Sequence, residues 1–559
     1  MAMKKLYPEP HIAYFSMEIG IDAHIPTYSG GLGVLAGDTL RSCADLGVPI
    51  VGVTLLSEKG YFFQRLDDEG NQIEMPVEWS TDDFLRLLPT QVSVPIEGRE
   101  VRIRHWEYVI TGISGHQVPV YFLDTNIPEN DPSDRQITSF LYGGDHRYRL
   151  CQEIILGIGG TRMIEALDYK SIQKYHMNEG HAALLILELS KQSKNDMELV
   201  REKCVFTTHT PVPAGHDRFP KSLVRSLLGG YLSDEEIDRI SPGDELNMTR
   251  LALDHSTYIN GVARRHGEIS RNMFPGYPID SITNGVHHIF WTCESFRELF
   301  DRHISGWRTD PFALRSGLAI PREEIWAAHF EAKKKLIDLV NQRENAGMDY
   351  DFFTLGFARR ATQYKRSDLL FTDIQRLIDI VAKSGPIQIV YAGKAHPNDW
   401  QGKEAIKHIF NAMKGLKGHI RMAYLQNYDI DLARLIVAGV DVWLNNPQKP
   451  HEASGTSGMK ACLNGIPSLS VLDGWWMEGH IENVTGWAIG AGLVGSENPS
   501  DHSRDIDDLY DKLEKVVVPM YYGNRDVWIE IMQHCIAINA SFFNSHRMVQ
   551  QYVLNAYFI

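Results

Sequence analysis

Three stretches of this chain combine residue types whose chemistry is specific. Pro450-His-Glu-Ala-Ser-Gly-Thr-Ser-Gly-Met-Lys-Ala-Cys-Leu-Asn-Gly465 leads from a predicted strand into a helix expected to open near Ser457, with Lys460 one turn in. Its glycine amides and the hydroxyls of Ser454, Thr456 and Ser457 suit a hydroxylated or phosphorylated ligand. A lysine desolvated there could lose its proton and form a Schiff base with an aldehyde cofactor. Spacing alone favours a lysine on the helix surface over a functional one. Phe357-Ala-Arg-Arg-Ala-Thr-Gln-Tyr-Lys-Arg366 sets Arg359, Arg360, Lys365 and Arg366 within eight positions after another predicted strand. Arginine grips phosphate oxygens bidentately and lysine acts as a point charge, so the run reads as an anion site or as a solvated basic face. Ser29-Gly-Gly-Leu-Gly33 precedes a helical pattern whose first-turn amides would favour an anion, although glycines there also permit a tight turn with no ligand.

Other chemistries lack their markers. The glycine turn at 29–33 is not a GxGxxG fingerprint and no GxxxxGK[ST] appears, so that turn lacks the usual sign of a nicotinamide site and the chain lacks that of a P-loop ATP site. The six cysteines form no CxxC pair and no metal-ligand spacing, so reduced thiols and no metal are expected. His209 by itself reads as an ordinary polar or core histidine, and His216, His287-His288 and His451 stand apart from it. No acidic pair is marked by its context as the acid and nucleophile of a hydrolase. Fifty-six Lys+Arg against 71 Asp+Glu give a net charge of −15, which disfavours a nucleic-acid binder. Any phosphate must therefore meet local positive charge. Pro8, Glu9, Pro10 and Glu18 interrupt the start, and no apolar run approaches ~20 residues, so a cytoplasmic protein without a membrane partner is expected.

These residues need a scaffold, and at ~150 residues per domain a length of 559 allows two to four domains. The apolar run His11–Ser16, the glycine turn, a helical pattern through Leu46 and the run Ile50–Leu56 spell strand, turn, helix, strand. Residues 322–342 read as a long amphipathic helix. The grammar then repeats: strand 352–357, helix 367–383, strand 387–392, helix 403–413, strand 420–425, helix 432–437 and strand 441–445. Alternation of this kind predicts an α/β fold of two Rossmann-like lobes, with the ligand in a central crevice at the carboxyl ends of parallel strands. The expected divisions are 1–300, 301–530 and a helical 531–559 returning to the N-terminal lobe.

At these residues the chain resembles the α-glucan phosphorylases, the pyridoxal-phosphate-dependent family of glycogen, starch and maltodextrin phosphorylases. Glu452-Ala-Ser-Gly-Thr-Ser-Gly-Met-Lys460 with Leu463-Asn-Gly465 and Asp473-Gly474 is similar to that family's cofactor-lysine segment. Support is spread along most of the chain: Gly30-Gly-Leu-Gly33, Asn178-Glu-Gly-His181, Thr208-His-Thr-Pro-Val-Pro213, Thr283-Asn-Gly285, Tyr364-Lys-Arg366, Gly393-Lys-Ala395 and Asn427-Tyr428. The resemblance implies a GT-B glycosyltransferase architecture and pyridoxal 5′-phosphate carried on Lys460 as a Schiff base, with the cofactor phosphate rather than the ring in the chemistry. The implied reaction moves the non-reducing-end glucosyl unit of an α-1,4-glucan onto inorganic phosphate, reversibly and with retention, giving α-glucose 1-phosphate. Two anions side by side would explain the cationic run.

Carried over residue by residue, the resemblance makes Arg360 and Lys365 binders of the substrate phosphate, catalytic together with Lys460 and His209. Arg359 falls where the family often has a lysine on the cofactor phosphate, and Thr456, Tyr428 and Gly31 match further cofactor neighbours. Gly30, Gly31 and Leu32 match the turn that meets substrate, while Asn284, Glu452, Ser454, Gly455 and His209 match positions holding glucosyl hydroxyls. Asn178 and His181 match a structural or near-site motif. Asp429 stands where long family members have an arginine on the cofactor phosphate, so another cation, with Arg359 the candidate, is expected to compensate. The lead-in is short compared with animal and plant enzymes, and no phosphorylation or nucleotide control is expected; a homodimer fits the family. The alternatives are a nucleotide-sugar glucan synthase, which usually carries a lysine where Tyr28-Ser29 stands, and a catalytically dead glucan-binding protein, against which Lys460, Arg360 and Lys365 together argue.

Overall fold

In the computed structural model, which describes residues 9–490 and 502–558, the apolar runs assemble into two large sheets. Strands such as Ile50–Leu55 and Phe353–Ala358 are buried along their whole length, as parallel strands covered on both faces must be. The first sheet runs Ile279–Ser281, Tyr258–Gly261, Cys204–Thr207, Lys174–Asn178, Ile12–Ser16, Ile50–Leu55, Gln117–Asp124, Arg99–Thr111, Arg86–Ile96. All neighbours are parallel except the last two pairings, which are antiparallel. The second is parallel throughout: Arg421–Leu425, Ile387–Ala392, Phe353–Ala358, Val442–Asn445, Ser468–Val471, Gly486–Ile489.

Numbered along the chain, the six strands of the second sheet lie in the order 3-2-1-4-5-6, the doubly wound arrangement. Its strand order reverses between Phe353–Ala358 and Val442–Asn445. In the first sheet the reversal falls between Ile12–Ser16 and Lys174–Asn178. At such a point the loops leaving the two strands diverge and open a ligand crevice at their carboxyl ends.

Each sheet belongs to its own compact unit. The first comprises Met1–Phe62, Pro76–Thr283 and Met548–Ile559; the second comprises Phe63–Met75 and Asn284–Arg547. The divisions therefore differ from the expected 300 and 530. Phe63–Met75 joins the second unit because Gln64 Nε2 donates to Gly393 O at 2.8 Å and Gln72 Nε2 to Ala395 O at 2.9 Å. The end of the chain is helical, and from Met548 it belongs to the first unit. There the Tyr557 hydroxyl bonds His176 Nδ1 at 2.7 Å, and Asn260 Nδ2 donates to the Tyr552 hydroxyl at 3.0 Å.

The side chains of Ile12–Ser16 alternate between two cores, Ala13 and Phe15 packing with Val51 and Val53 on one face, Ile12 and Tyr14 with Leu35 and Phe122 on the other. The long helix spans Arg322–Glu344 and buries Lys333, whose Nζ reaches Asp441 Oδ2 at 2.6 Å while His329 Nε2 lies 2.8 Å from Oδ1. The helix expected over 367–383 begins only at Ile374. Arg366 takes a left-handed conformation with φ 46°, Leu369–Phe371 forms a short 3₁₀ turn, and Asp373 caps the helix by accepting from Arg376 N at 2.9 Å. Among the described residues no helix is long and apolar enough to cross a membrane.

Candidate active site

The cationic run and the lysine loop leave the two strands that flank the reversal in the second sheet. Arg359 Nη2 donates to Glu452 Oε2 at 2.6 Å, and Lys365 Nζ donates to the same oxygen at 2.5 Å. All three side chains are buried. Burial would raise the Glu452 carboxyl, but the two cations outweigh it and hold it at about 2. Burial, reinforced by the Arg359 charge, brings Lys365 down to about 7. Asp473, which accepts from Glu452 N and Gly474 N at 2.9 Å each, is pushed by burial up to about 7. A Cβ on Gly474 would lie 2.3 Å from Ser454 O, so only glycine lets this turn clasp the Glu452 loop.

The four cations of the run have separate fates. Arg366 donates to Asn446 O at 2.8 Å and Pro447 O at 2.9 Å, tying the two loops together. Arg360 is exposed, whereas Arg359 and Lys365 are buried on Glu452. The run is therefore not a uniformly solvated basic face: two of its cations are buried against a carboxylate, one ties loops together and one is exposed. Asp429 caps the helix Ile430–Gly439, accepting from Leu432 N at 2.8 Å. Its carboxylate interacts with Lys394, which burial lowers to about 8, and with Arg343, while Arg359 acts on Tyr428.

Lys460 sits in the helix Ser457–Cys462, 8% exposed, its Nζ 4.0 Å from the centre of the Trp291 ring. Asn464 Nδ2 donates to Lys460 O and to Trp291 O, both at 3.0 Å, and its Oδ1 accepts from Cys293 N at 2.8 Å. Ser457 is taken up by structure, its Oγ accepting from Trp443 Nε1 at 3.0 Å. Thr456 and Tyr428 are half-buried. By contrast, Arg359 Nη1, Ser454 Oγ and Asn284 Oδ1 are buried and meet no hydrogen-bond partner among the described residues. Buried polar atoms of this kind are completed by an ordered water, an ion or a ligand, and these three lie on segments the sequence singles out. A buried guanidinium, a hydroxyl and the amine of the buried Lys460 suit a group carrying phosphate and an aldehyde, so the residues fit pyridoxal phosphate.

In the first unit the glycine turn again follows a strand at the reversal. Glu18 organises it: Oε2 accepts from Ser29 N at 2.5 Å and Gly30 N at 3.2 Å, and Oε1 accepts from the Tyr142 hydroxyl at 2.9 Å. The Gly30 amide is therefore spent within the protein, while Gly31 and Leu32 open the helix Gly31–Leu46. A Cβ on Gly33 would lie 2.7 Å from Glu18 Oε2, whereas one on Gly30 or Gly31 would meet nothing within 4 Å. Packing requires the third glycine and leaves clear space over the first two. His209 Nε2 lies 2.6 Å from Asn178 Oδ1, Asn178 Nδ2 donates to Ser16 Oγ at 3.0 Å, and Ser16 Oγ donates to Glu18 O at 2.7 Å. One chain of bonds thus joins His209 to the glycine turn. Burial lowers His209 to about 3, so it is neutral and serves as a hydrogen-bonding group. His181 is lowered to about 3 for the same reason and lies 3.6 Å from Asp217.

Glu18 and Trp291 have no signal in the sequence read alone, and Asn464 and Asp473, although they fall in the quoted segments Leu463-Asn-Gly465 and Asp473-Gly474, have partners that only the fold shows. Comparison with known proteins bears on the family. The model of the carbohydrate phosphorylase family matches residues 232–486. A maltodextrin phosphorylase of Thermococcus litoralis is 40% identical, covering 98% of this chain and 70% of its own. A glycogen phosphorylase of Aquifex aeolicus is 35% identical over 99% and 86%, and an uncharacterised protein of Methanocaldococcus jannaschii is 32% identical over 98% and 99%. With the lysine loop and the cationic pair set at one strand reversal and relatives matching along nearly its full length, the chain belongs to the carbohydrate phosphorylase family.

Proposed function

We propose that this protein is an α-glucan phosphorylase, transferring the non-reducing-end glucosyl unit of an α-1,4-glucan to inorganic phosphate with retention to give α-glucose 1-phosphate. The observation that carries this reading is the buried Arg359–Glu452–Lys365 cluster with the partnerless Arg359 Nη1 and Ser454 Oγ beside it in the loops at the strand reversal. Lys460, Arg359, Thr456 and Tyr428 would hold pyridoxal phosphate, which when bound supplies a second phosphate group to the site. Lys365 and Arg360 neutralise the substrate phosphate, and the depressed Lys365 regains its proton as the anion arrives. Glu452, Ser454 and Asn284 accept from or donate to glucosyl hydroxyls and orient the sugar. His209, neutral and fixed by Asn178, donates or accepts without changing charge, and the first-turn amides of Gly31 and Leu32 offer fixed donors. Exclusion of water from so buried a site favours phosphate over hydrolysis. The Thermococcus litoralis and Aquifex aeolicus relatives carry phosphorylase names, and they give the synthase alternative no support.

The test has two parts. Borohydride reduction followed by peptide mapping should find a pyridoxyl group on Lys460, and purified protein given maltodextrin and phosphate should release glucose 1-phosphate. Protein that takes up no pyridoxal phosphate, or that releases glucose 1-phosphate undiminished after Lys460→Ala, contradicts the proposal.

A further inference from the structure

The chain passes into the second unit at Asn284 and leaves it after Arg547, and inside that unit the segments next to the two crossings lie side by side. Val286 N donates to Phe543 O at 3.2 Å, Ser545 N to Val286 O at 2.9 Å, and Arg547 Nη2 to Asn284 O at 2.9 Å. A Cβ on Gly285 would lie 2.1 Å from Asn544 O, so the backbones are in direct contact. Three histidines converge on this seam, His287 and His288 from one segment and His546 from the other. None is more than 5% exposed. One ring nitrogen of each lies within 4.8 Å of the other two, and the rings of His288 and His546 are 4.5 Å apart, edge to face.

We propose that His287, His288 and His546 form a binding site for a zinc-type transition-metal dication, which pins the two crossing segments together. Three imidazoles with no carboxylate among them suit Zn²⁺, Ni²⁺ or Cu²⁺ and not Ca²⁺ or Mg²⁺. The tautomer of His288 is set for this: Nε2 donates to Arg308 O at 2.8 Å, which directs the lone pair to Nδ1. Metal-bound histidines are commonly oriented by such a bond from the far nitrogen. Nitrogens about 2.1 Å from a tetrahedral ion stand about 3.4 Å apart, so the rings must close by about an ångström. His287 gives up most, because its Nδ1 accepts the Phe290 amide at 3.1 Å and a neutral imidazole, with one lone pair, loses that bond on giving the lone pair to an ion from either nitrogen. Three protein ligands leave a fourth position for water. The ion's effect is local: it ties the segment that begins with Asn284 to the one that ends the second unit.

The experiment uses tag-free full-length protein, stripped with EDTA and moved to metal-free buffer, then titrated with Zn²⁺ by calorimetry and with Co²⁺ by visible absorption. One ion per chain is expected, with an intense tetrahedral Co²⁺ band and a raised unfolding temperature on adding Zn²⁺. His546→Gln and His288→Gln should each weaken Zn²⁺ binding by about tenfold or more, while His24→Gln, at a side chain 69% exposed, should leave it unchanged. Absence of a stoichiometric ion, binding that survives both substitutions, or a Co²⁺ spectrum like that of the hydrated ion overturns the proposal. If a variant fails to fold, the Co²⁺ spectrum of the unaltered protein decides by itself.

Discussion

Glu452→Gln separates the charges of the site from its shape. In the native protein one carboxylate oxygen faces Arg359 at 2.6 Å and Lys365 at 2.5 Å. At an effective dielectric constant of about 20, each contact is worth about 6 kcal/mol of attraction before desolvation is subtracted. Removing one member of a buried pair typically costs about 3–5 kcal/mol, because the partner stays buried and uncompensated. Here one partner can escape, since Lys365 already stands at about 7 and sheds its proton when the carboxylate is lost. The cost should therefore depend on pH. At pH 6 the native Lys365 is charged and paired, and the variant must either keep an unpaired charge or release a proton against the gradient. At pH 8 Lys365 is largely neutral in both proteins and only the Arg359 contact is lost. The midpoint of urea unfolding should fall at both pH values and fall further at pH 6, with inorganic phosphate recovering part of the difference by serving as the missing anion. An equal loss at the two pH values, or a loss below about 1 kcal/mol, would refute the charge assignment.

Binding of inorganic phosphate at pH 8 should draw a proton onto Lys365, since the anion raises a depressed lysine. Calorimetry in buffers of different ionisation enthalpy should show that uptake in the native protein, less of it in Lys365→Met, and little difference between the two at pH 6. Asp441→Ala strands the fully buried Lys333 and His329, so denaturant unfolding should show a loss of about 3–5 kcal/mol; a loss under 1 would mean that the Tyr521 hydroxyl and Phe352 carbonyl suffice for Lys333. His209→Ala should lower kcat while pyridoxal phosphate stays bound, measured by its absorbance; a fully active variant removes His209 from the site. Glu18→Gln exchanges an acceptor-only group for one that also bears donors opposite the Ser29 and Gly30 amides, so KM for the glucan or phosphate should rise; unchanged kinetics would make Glu18 a purely structural residue.

The strands and helices that carry the site were legible because their cause is local. Ile12–Ser16, Ile50–Leu55, Phe353–Ala358 and Ile387–Ala392 are continuous apolar runs, and the glycine turn and the lysine loop are short segments whose residue types state their backbone and donor properties. The late start of the helix at Ile374 was not legible, because it depends on the left-handed Arg366, whose guanidinium is anchored to the carbonyls of Asn446 and Pro447.

By itself the sequence determined two sets of alternating strands and helices, a family resemblance and a set of candidate residues for phosphate and sugar. Only the tertiary structure decided which of those residues act alike. It buried Arg359 and Lys365 on one oxygen of Glu452, exposed Arg360, and made Arg366 a tie between loops, although the four stand within eight positions. It gave Glu18 to the glycine turn and brought His546 to His287 and His288. The physical reason is that charge, burial and hydrogen bonding depend on distance in space, whereas neighbours along the chain fix only the backbone's local preferences and the faces it presents.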